Sequence, residues 1–288
     1  MSLQVIEWQD FLEPKLRPNP VFSGQTPEGA AITIGVFDGV HLGHRMLINK
    51  IVQRGPNPTI VTFRENPKKV ILRLAGKEDT YEGDIFSLEQ KLTAFENLGA
   101  EKVILIDFSE DFSKLKGREF FELLYTYGRM GFLAIGSNFR CGFRQDTNAE
   151  LIREMNTIKG IPTEIVAPLA LPMALPEAGD SEPVSSSRIR SAISCGHIAL
   201  AAAMMGRNVE VDLRTVLMRT GIRTDSQVYD LRSAARIAPG TGSYPVLIHP
   251  GVIAARAVLE NGNLFLSGPF TDREKTEAPV ERLEFLPV

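Results

Sequence analysis

His41-Leu42-Gly43-His44 brings two imidazoles within three residues of each other, directly after the apolar run from Ala31 to Phe37 and the turn pair Asp38-Gly39. That order predicts a strand giving way to a helix, with both rings facing the same way at the helix N-terminus, where unpaired backbone N–H groups already favour a phosphate. Gly35 and Gly39 allow close backbone approach or positive φ, and Gly43 removes a side chain that would separate the histidines from a bound triphosphate. Each imidazole can then donate a ring N–H to a phosphate oxygen. Attack on the α-phosphate of a nucleoside triphosphate builds charge on the non-bridging oxygens, and preorganised donors aimed there lower the barrier by about 3 kcal/mol each. An attacking phosphate monoester is already an anion, so no general base is required. The glycines around His41 and His44 weigh against their being ordinary surface or capping residues.

The surrounding pattern is that of elements able to hold such a site. Short apolar runs at Ile32 to Phe37, Thr59 to Phe63, Val103 to Ile106 and Leu133 to Ile135 predict strands buried on both faces, as in a parallel sheet. Helical segments are predicted between them at Leu42 to Gln53, Ser87 to Leu98 and Arg118 to Tyr127, with a capping box at Ser87 and Gln90 and a stop at Gly99. Alternating strands and helices predict a doubly wound α/β domain, in which ligands sit beyond the carboxyl ends of the strands. His41, His44, Asn66 and Asn138 all follow predicted strands and so fall at that edge.

The 288 residues, 43% of them hydrophobic, exceed the usual single-domain size, which predicts two domains. A net charge of −3 and a pI near 5.9 give no polyanion-binding signature, so nucleic acid is not an expected partner. Two cysteines far apart, Cys141 and Cys195, no apolar run of bilayer length and no secretion-type N-terminus lead to an expected place in the reducing cytoplasm, away from membranes. After Met205, short β-like runs follow at Leu213 to Met218, Val246 to Ile248, Val252 to Leu259 and Leu264 to Leu266. The pair Asn261-Gly262 marks a hairpin, and a small antiparallel β-barrel is predicted.

The run Thr33 to His44 resembles the signature of the bacterial FAD synthetase family, whose members join an FMN adenylyltransferase module to a riboflavin kinase module. Three further segments agree in order. Val61-Thr62-Phe63 with Asn66-Pro67 is similar to the family's second strand and ligand loop. Gly136-Ser137-Asn138-Phe139-Arg140-Cys141-Gly142 resembles its G-x-[DN]-F-x-F-G segment, with Cys141 at an aromatic position. Ser185-Ser186-Ser187-Arg188-Ile189-Arg190 resembles S-S-T-x-I-R, with Ser187 keeping the threonine hydroxyl. The basic, glycine-containing lid of the family is replaced here by Gly142 to Asn148. The resemblance runs from Ala31 to about Val216.

The resemblance implies a Rossmann-like nucleotidyltransferase domain with a parallel sheet over residues 1–200. It also implies a degenerate riboflavin-kinase-like β-barrel over residues 201–288. The activity it implies is transfer of AMP from ATP to FMN, giving FAD and pyrophosphate, with Mg2+ bridging the triphosphate and no protein ligands to the metal. His41, His44 and Arg190 would be catalytic, and Gly35, Phe37, Gly43, Ser186 and Ser187 would bind the nucleotide. Asn66 and Asn138 would meet the flavin phosphate. Read without the family, Ser186 and Ser187 belong to a helix N-cap, Asn66-Pro67 opens a turn, Asn138 is a turn residue, Asp38 stabilises its own turn, and Phe63 and Phe139 are core.

Met204-Met205-Gly206-Arg207 resembles the L-L-G-R opening of the kinase module, but the family's G-F-P-T-A-N loop has no counterpart and no P-loop is present. Between Val216 and Val246 the chain offers only Arg219 to Thr224 and the turn Pro239-Gly240-Thr241-Gly242, so loss of riboflavin phosphorylation is expected. Two other functions remain open: transfer to a different phosphorylated acceptor, and a non-catalytic flavin or nucleotide binder.

Overall fold

The computed structural model describes residues 2–13, 29–171, 182–219, 227–267 and 280–287. The chain divides into two compact units: Met1–Phe37, Gly43–Glu78 and Leu92–Ala170 form the first, and Asp38–Leu42, Asp79–Lys91 and Leu171–Val288 the second. In chain order the first part contains β1 (Gln4–Glu7), α1 (Trp8–Leu12), β2 (Ala30–Ile34), α2 (Leu42–Arg54), β3 (Thr59–Phe63), α3 (Pro67–Leu74), α4 (Leu88–Asn97), β4 (Lys102–Ile106), α5 (Glu110–Lys114), α6 (Gly117–Gly128), β5 (Met130–Gly136), β6 (Arg140–Cys141), β7 (Thr147–Asn148), α7 (Ala149–Ile158) and β8 (Thr163–Val166). There follow α8 (Ser186–Ser194), α9 (Ile198–Met205), β9 (Val209–Asp212), β10 (Leu217–Arg219), β11 (Gln227–Asp230), β12 (Gly242–His249), β13 (Ile253–Glu260), β14 (Asn263–Ser267) and β15 (Arg282–Phe285).

The first unit is a six-stranded sheet in the order β1-β4-β3-β2-β5-β8, every neighbouring pair parallel. This is the predicted Rossmann-like α/β architecture. Every residue of β2 is buried, and Ile32, Val61, Ile104 and Leu133 pack with Phe120, Phe121 and Leu124 of α6 and Ile152 of α7, so these strands read as unbroken apolar strings. Thr33, buried among them, donates its hydroxyl to the Ala134 carbonyl at 2.8 Å, which satisfies the one polar side chain of β2. After β2 the chain runs outward through β3 and β4, then returns to place β5 on the other side of β2. The switch point of the sheet therefore lies between β2 and β5, at the carboxyl ends where the loops begin.

The predicted strand Ile32 to Phe37 stops at Ile34. Gly35 still donates its N–H to the Val61 carbonyl at 3.1 Å, but Phe37 takes φ 54, a left-handed conformation that no strand accommodates.

The second unit carries a seven-stranded antiparallel sheet in the order β10-β11-β14-β13-β12-β15-β9, barrel-like and without pairing between β9 and β10 among the described residues. Asn261 (φ 52) and Gly262 (φ 79) form the predicted tight hairpin turn between β13 and β14. The run Leu213 to Met218 is not one strand: Asp212 ends β9, where its carboxylate accepts the Arg214 N–H and turns the chain before β10. Gly240 is a packing glycine, its N–H bonded to the Ile193 carbonyl and its own carbonyl accepting the Tyr244 hydroxyl at 2.8 Å. Of the segment Arg219 to Thr224, residues 220–224 lie outside the described residues.

Candidate active site

In the first unit, the loops after β2, β3 and β5 begin at one edge of the sheet. Gly35 and Phe37 follow β2. The Phe37 ring is fully buried, lies 5.7 Å from the Phe95 ring and meets the half-buried imidazole of His44, on the first turn of α2, edge to face. Gly43 precedes that histidine with no side chain to cover it. Asn66 follows β3 and is the N-cap of α3: its Oδ1 accepts the Lys68 N–H at 3.1 Å and Pro67 fills the first helical position, where no N–H is needed. Asn138, beyond β5, is exposed.

The replaced lid is a tightly folded strap. Gly142, Arg144 and Gln145 all have positive φ, and the Asp146 carboxylate accepts both the Gly117 N–H, at 3.0 Å, and the Thr147 hydroxyl. Arg144 lies over the exposed ring of Phe143. Burial pushes the Cys141 thiol beside it up to about 12, so it is an uncharged side chain at neutral pH.

The second unit holds the turn that precedes α2. Asp38 is 5% exposed, and its carboxylate accepts N–H bonds from Ile85 (3.0 Å) and Phe86 (3.1 Å) and pairs with the Arg190 guanidinium. Burial pushes this carboxyl up, while Arg190 pulls it back. Arg190, buried on α8, also donates Nε to the Gly83 carbonyl at 3.0 Å. Gly39 has φ +75, and a Cβ there would lie 2.9 Å from Ile85, so both conformation and space require glycine.

Ser185, not Ser186 or Ser187, is the N-cap of α8, accepting the Arg188 N–H. Ser186 donates its hydroxyl to the Asp38 carbonyl at 3.0 Å, and Ser187 is exposed in the first helical turn. His41 is buried and its pKa is lowered to about 4, by loss of solvent first and by the positive charge of Arg207 second. It is therefore neutral at pH 7 and donates from one ring nitrogen only.

A family model for FAD synthetase matches residues 23–175, just over half of the chain. The chain belongs to the FAD synthetase family. Curated relatives include the "bifunctional riboflavin kinase/FMN adenylyltransferase" of Escherichia coli K12, 27% identical over 66% of this chain and 58% of its own length. The protein of the same description in Bacillus subtilis is 26% identical over 62% and 54%. This FAD synthetase family member thus spans less than two thirds of the length of those relatives. A crystal structure described as a macrolide-efflux protein from Streptococcus pneumoniae shares the fold, with a TM-score of 0.72 at 20% identity, covering 99% of this chain and 89% of that one.

Sequence reasoning missed the partners of this family member's signature. Asp38 was legible as a turn residue, but Ile85, Phe86, Arg190 and Arg207 reach that turn from distant segments. It also missed Lys91, buried near Asp38 and Asp84, whose pKa burial pulls down to about 8.

Proposed function

We propose that this chain transfers AMP from ATP to FMN, producing FAD and pyrophosphate, and that residues 1–200 form the transferase domain while residues 201–288 form a riboflavin-kinase-like module without kinase activity. The observation that carries the reading is the FAD synthetase family match over the stretch containing the His41–His44 signature. The FMN phosphate attacks the α-phosphorus in line, forming one P–O bond as the bond to pyrophosphate breaks. His44, half-open on the first turn of α2, and neutral His41 donate ring N–H groups to the oxygens that gain charge. Gly35 and Gly43 leave room for the nucleotide beside the buried Phe37 ring, and Ser187, exposed on the first turn of α8, receives the departing pyrophosphate, with Ser186 and Arg190 bonded to Asp38 behind it. Asn66 and Asn138, on loops after β3 and β5, meet the flavin phosphate.

Mg2+ would arrive with the incoming ATP and would neutralise its triphosphate. Among the described residues, no helix is long and apolar enough to cross a membrane. The partners in this reading are the small molecules ATP and FMN, in the cytoplasm.

The test is incubation with ATP, magnesium and either FMN or riboflavin, with chromatographic identification of products. FAD and pyrophosphate are expected from FMN, and no FMN from riboflavin. Pyrophosphate release only with another phosphomonoester would move the acceptor, and tight FMN binding with no release would make the chain a binder.

A further inference from the structure

The second unit contains a fastening whose arginine, Arg207, takes no part in the transfer reaction as just described. Each of the three carbonyls before His41 accepts a side-chain donor: Asp38 from the Ser186 hydroxyl at 3.0 Å, Gly39 from one Arg207 nitrogen, and Val40 from another at 3.3 Å. Val40 is fully buried with φ 36, and for a β-branched residue that is a strained conformation that persists only when its surroundings enforce it. Gly39 beside it is also left-handed.

Arg207 reaches this turn by a definite local route. Helix α9 ends at Met205, Gly206 takes the left-handed cap with φ 66, and its N–H and that of Arg207 both return to the Ala202 carbonyl. The guanidinium then lies over the Phe86 ring at 4.4 Å, while the Phe86 N–H bonds to the Asp38 carboxylate. Fork, ring and carboxylate thus brace the same three residues, Asp38, Gly39 and Val40.

We propose that Arg207 is a positioning residue for AMP transfer: its guanidinium fork holds the strained Gly39–Val40 turn, and through it the backbone that carries His41. The proposal rests on the transferase reading, and it gives the kinase-like module a use that survives loss of its own site. A planar fork with two donors in fixed geometry is required to serve two successive carbonyls, which a lysine ammonium does not reproduce.

Two readouts test it on the full chain. In steady-state assays of pyrophosphate release, Arg207→Met should lower kcat about 10-fold or more with the ATP KM within about threefold, and Arg207→Lys should recover part of the rate. In amide hydrogen exchange, Arg207→Met should speed exchange at residues 39–42 about 10-fold or more while leaving β12 and β13 unchanged. Should Arg207→Met not fold, Arg207→Lys carries both measurements, with a smaller change in the same direction. Unchanged exchange at residues 39–42, or acceleration spread evenly through the second unit, overturns the proposal. If the unaltered protein releases no pyrophosphate from ATP and FMN, the transferase reading fails, and the exchange measurement still decides whether Arg207 holds the turn.

Discussion

The imidazole of His44 and the ring of Phe37 stand 5.1 Å apart between centroids and inclined at 73°, an edge-to-face pair. The pairing fixes the plane of a ring that is otherwise half open, and Phe37 is itself held by its burial and by the edge-on ring of Phe95. A donor fixed in this way is aligned before substrate arrives, the condition under which a hydrogen bond lowers a barrier rather than only adding affinity. His44→Ala should therefore reduce kcat about 100-fold while the ATP KM stays within severalfold. Steady-state pyrophosphate release checks both constants, and a raised KM at full kcat would assign His44 to ground-state binding.

His41 gives a stability signature with a definite sign. Its folded pKa is about 4 against 6.5 for the free side chain, so between those values the unfolded chain binds more protons than the folded one. The stability held by neutral His41 is complete above about pH 6.5. It falls as the pH drops toward 4, by about 3 kcal/mol over the whole window at 1.36 kcal/mol per unit. Denaturant midpoints measured between pH 4 and 7 should climb with pH in the native protein. They should climb less steeply in His41→Gln, which has no proton to lose. Parallel slopes in the two proteins would show that other groups set the dependence.

The strap after β6 makes a third prediction. Gly142 has φ +82, and a Cβ there would fall 2.2 Å from both the Asp146 Oδ1 and the Gly117 N–H nitrogen that this carboxylate accepts. Alanine would add left-handed strain and push apart a hydrogen bond that has no room to move. Gly142→Ala should cost about 2–4 kcal/mol. Urea unfolding measures it, and a loss under about 0.5 kcal/mol would mean that the strap refolds around the methyl group.

How far these features were legible in the residues depended on where their partners come from. The strands β2 to β5 were readable because burial on both faces leaves uninterrupted apolar strings, and β3 matches its expected bounds from Thr59 to Phe63. The Ser87–Gln90 box was readable because both partners are local. Edge strand β1 was not, since only Ile6 of its four residues is buried. Helix α3 was hidden by reading Asn66-Pro67 as a turn, although an Asn cap followed by proline at the first helical position is also a helix start. The His41–His44 signature, which lies inside the stretch that the family model matches, was legible by type and spacing. Its supports were not, because Arg190 and Arg207 meet the turn across more than 150 residues of sequence, and no local pattern encodes such a pairing.

The same Ser87 also carries a long-range duty that predicts a larger loss than a cap alone. Its Oγ accepts the Gln90 N–H at 3.1 Å, while the Gln90 side chain accepts the Ser87 N–H at 3.0 Å, the reciprocal pair that starts α4. The hydroxyl hydrogen goes elsewhere, to the buried carboxylate of Asp212 at 2.6 Å. Burial pushes Asp212 up, but its bonds from Arg214 and Ser87 outweigh that and hold it below the usual carboxylate range. Ser87→Ala removes the cap, worth about 1 kcal/mol, and one donor to a buried charge, worth about 1–2 kcal/mol more, so a loss of about 2–3 kcal/mol is expected near pH 7. A depressed carboxyl contributes stability above its unfolded pKa and loses it as pH falls, so the gap between Ser87→Ala and the native protein should narrow on acidification below about pH 4. Chemical denaturation at pH 7 and at successive steps through the acid range reads both numbers. A gap that keeps its full size down to acid unfolding would assign the whole effect to the helix cap and none to Asp212.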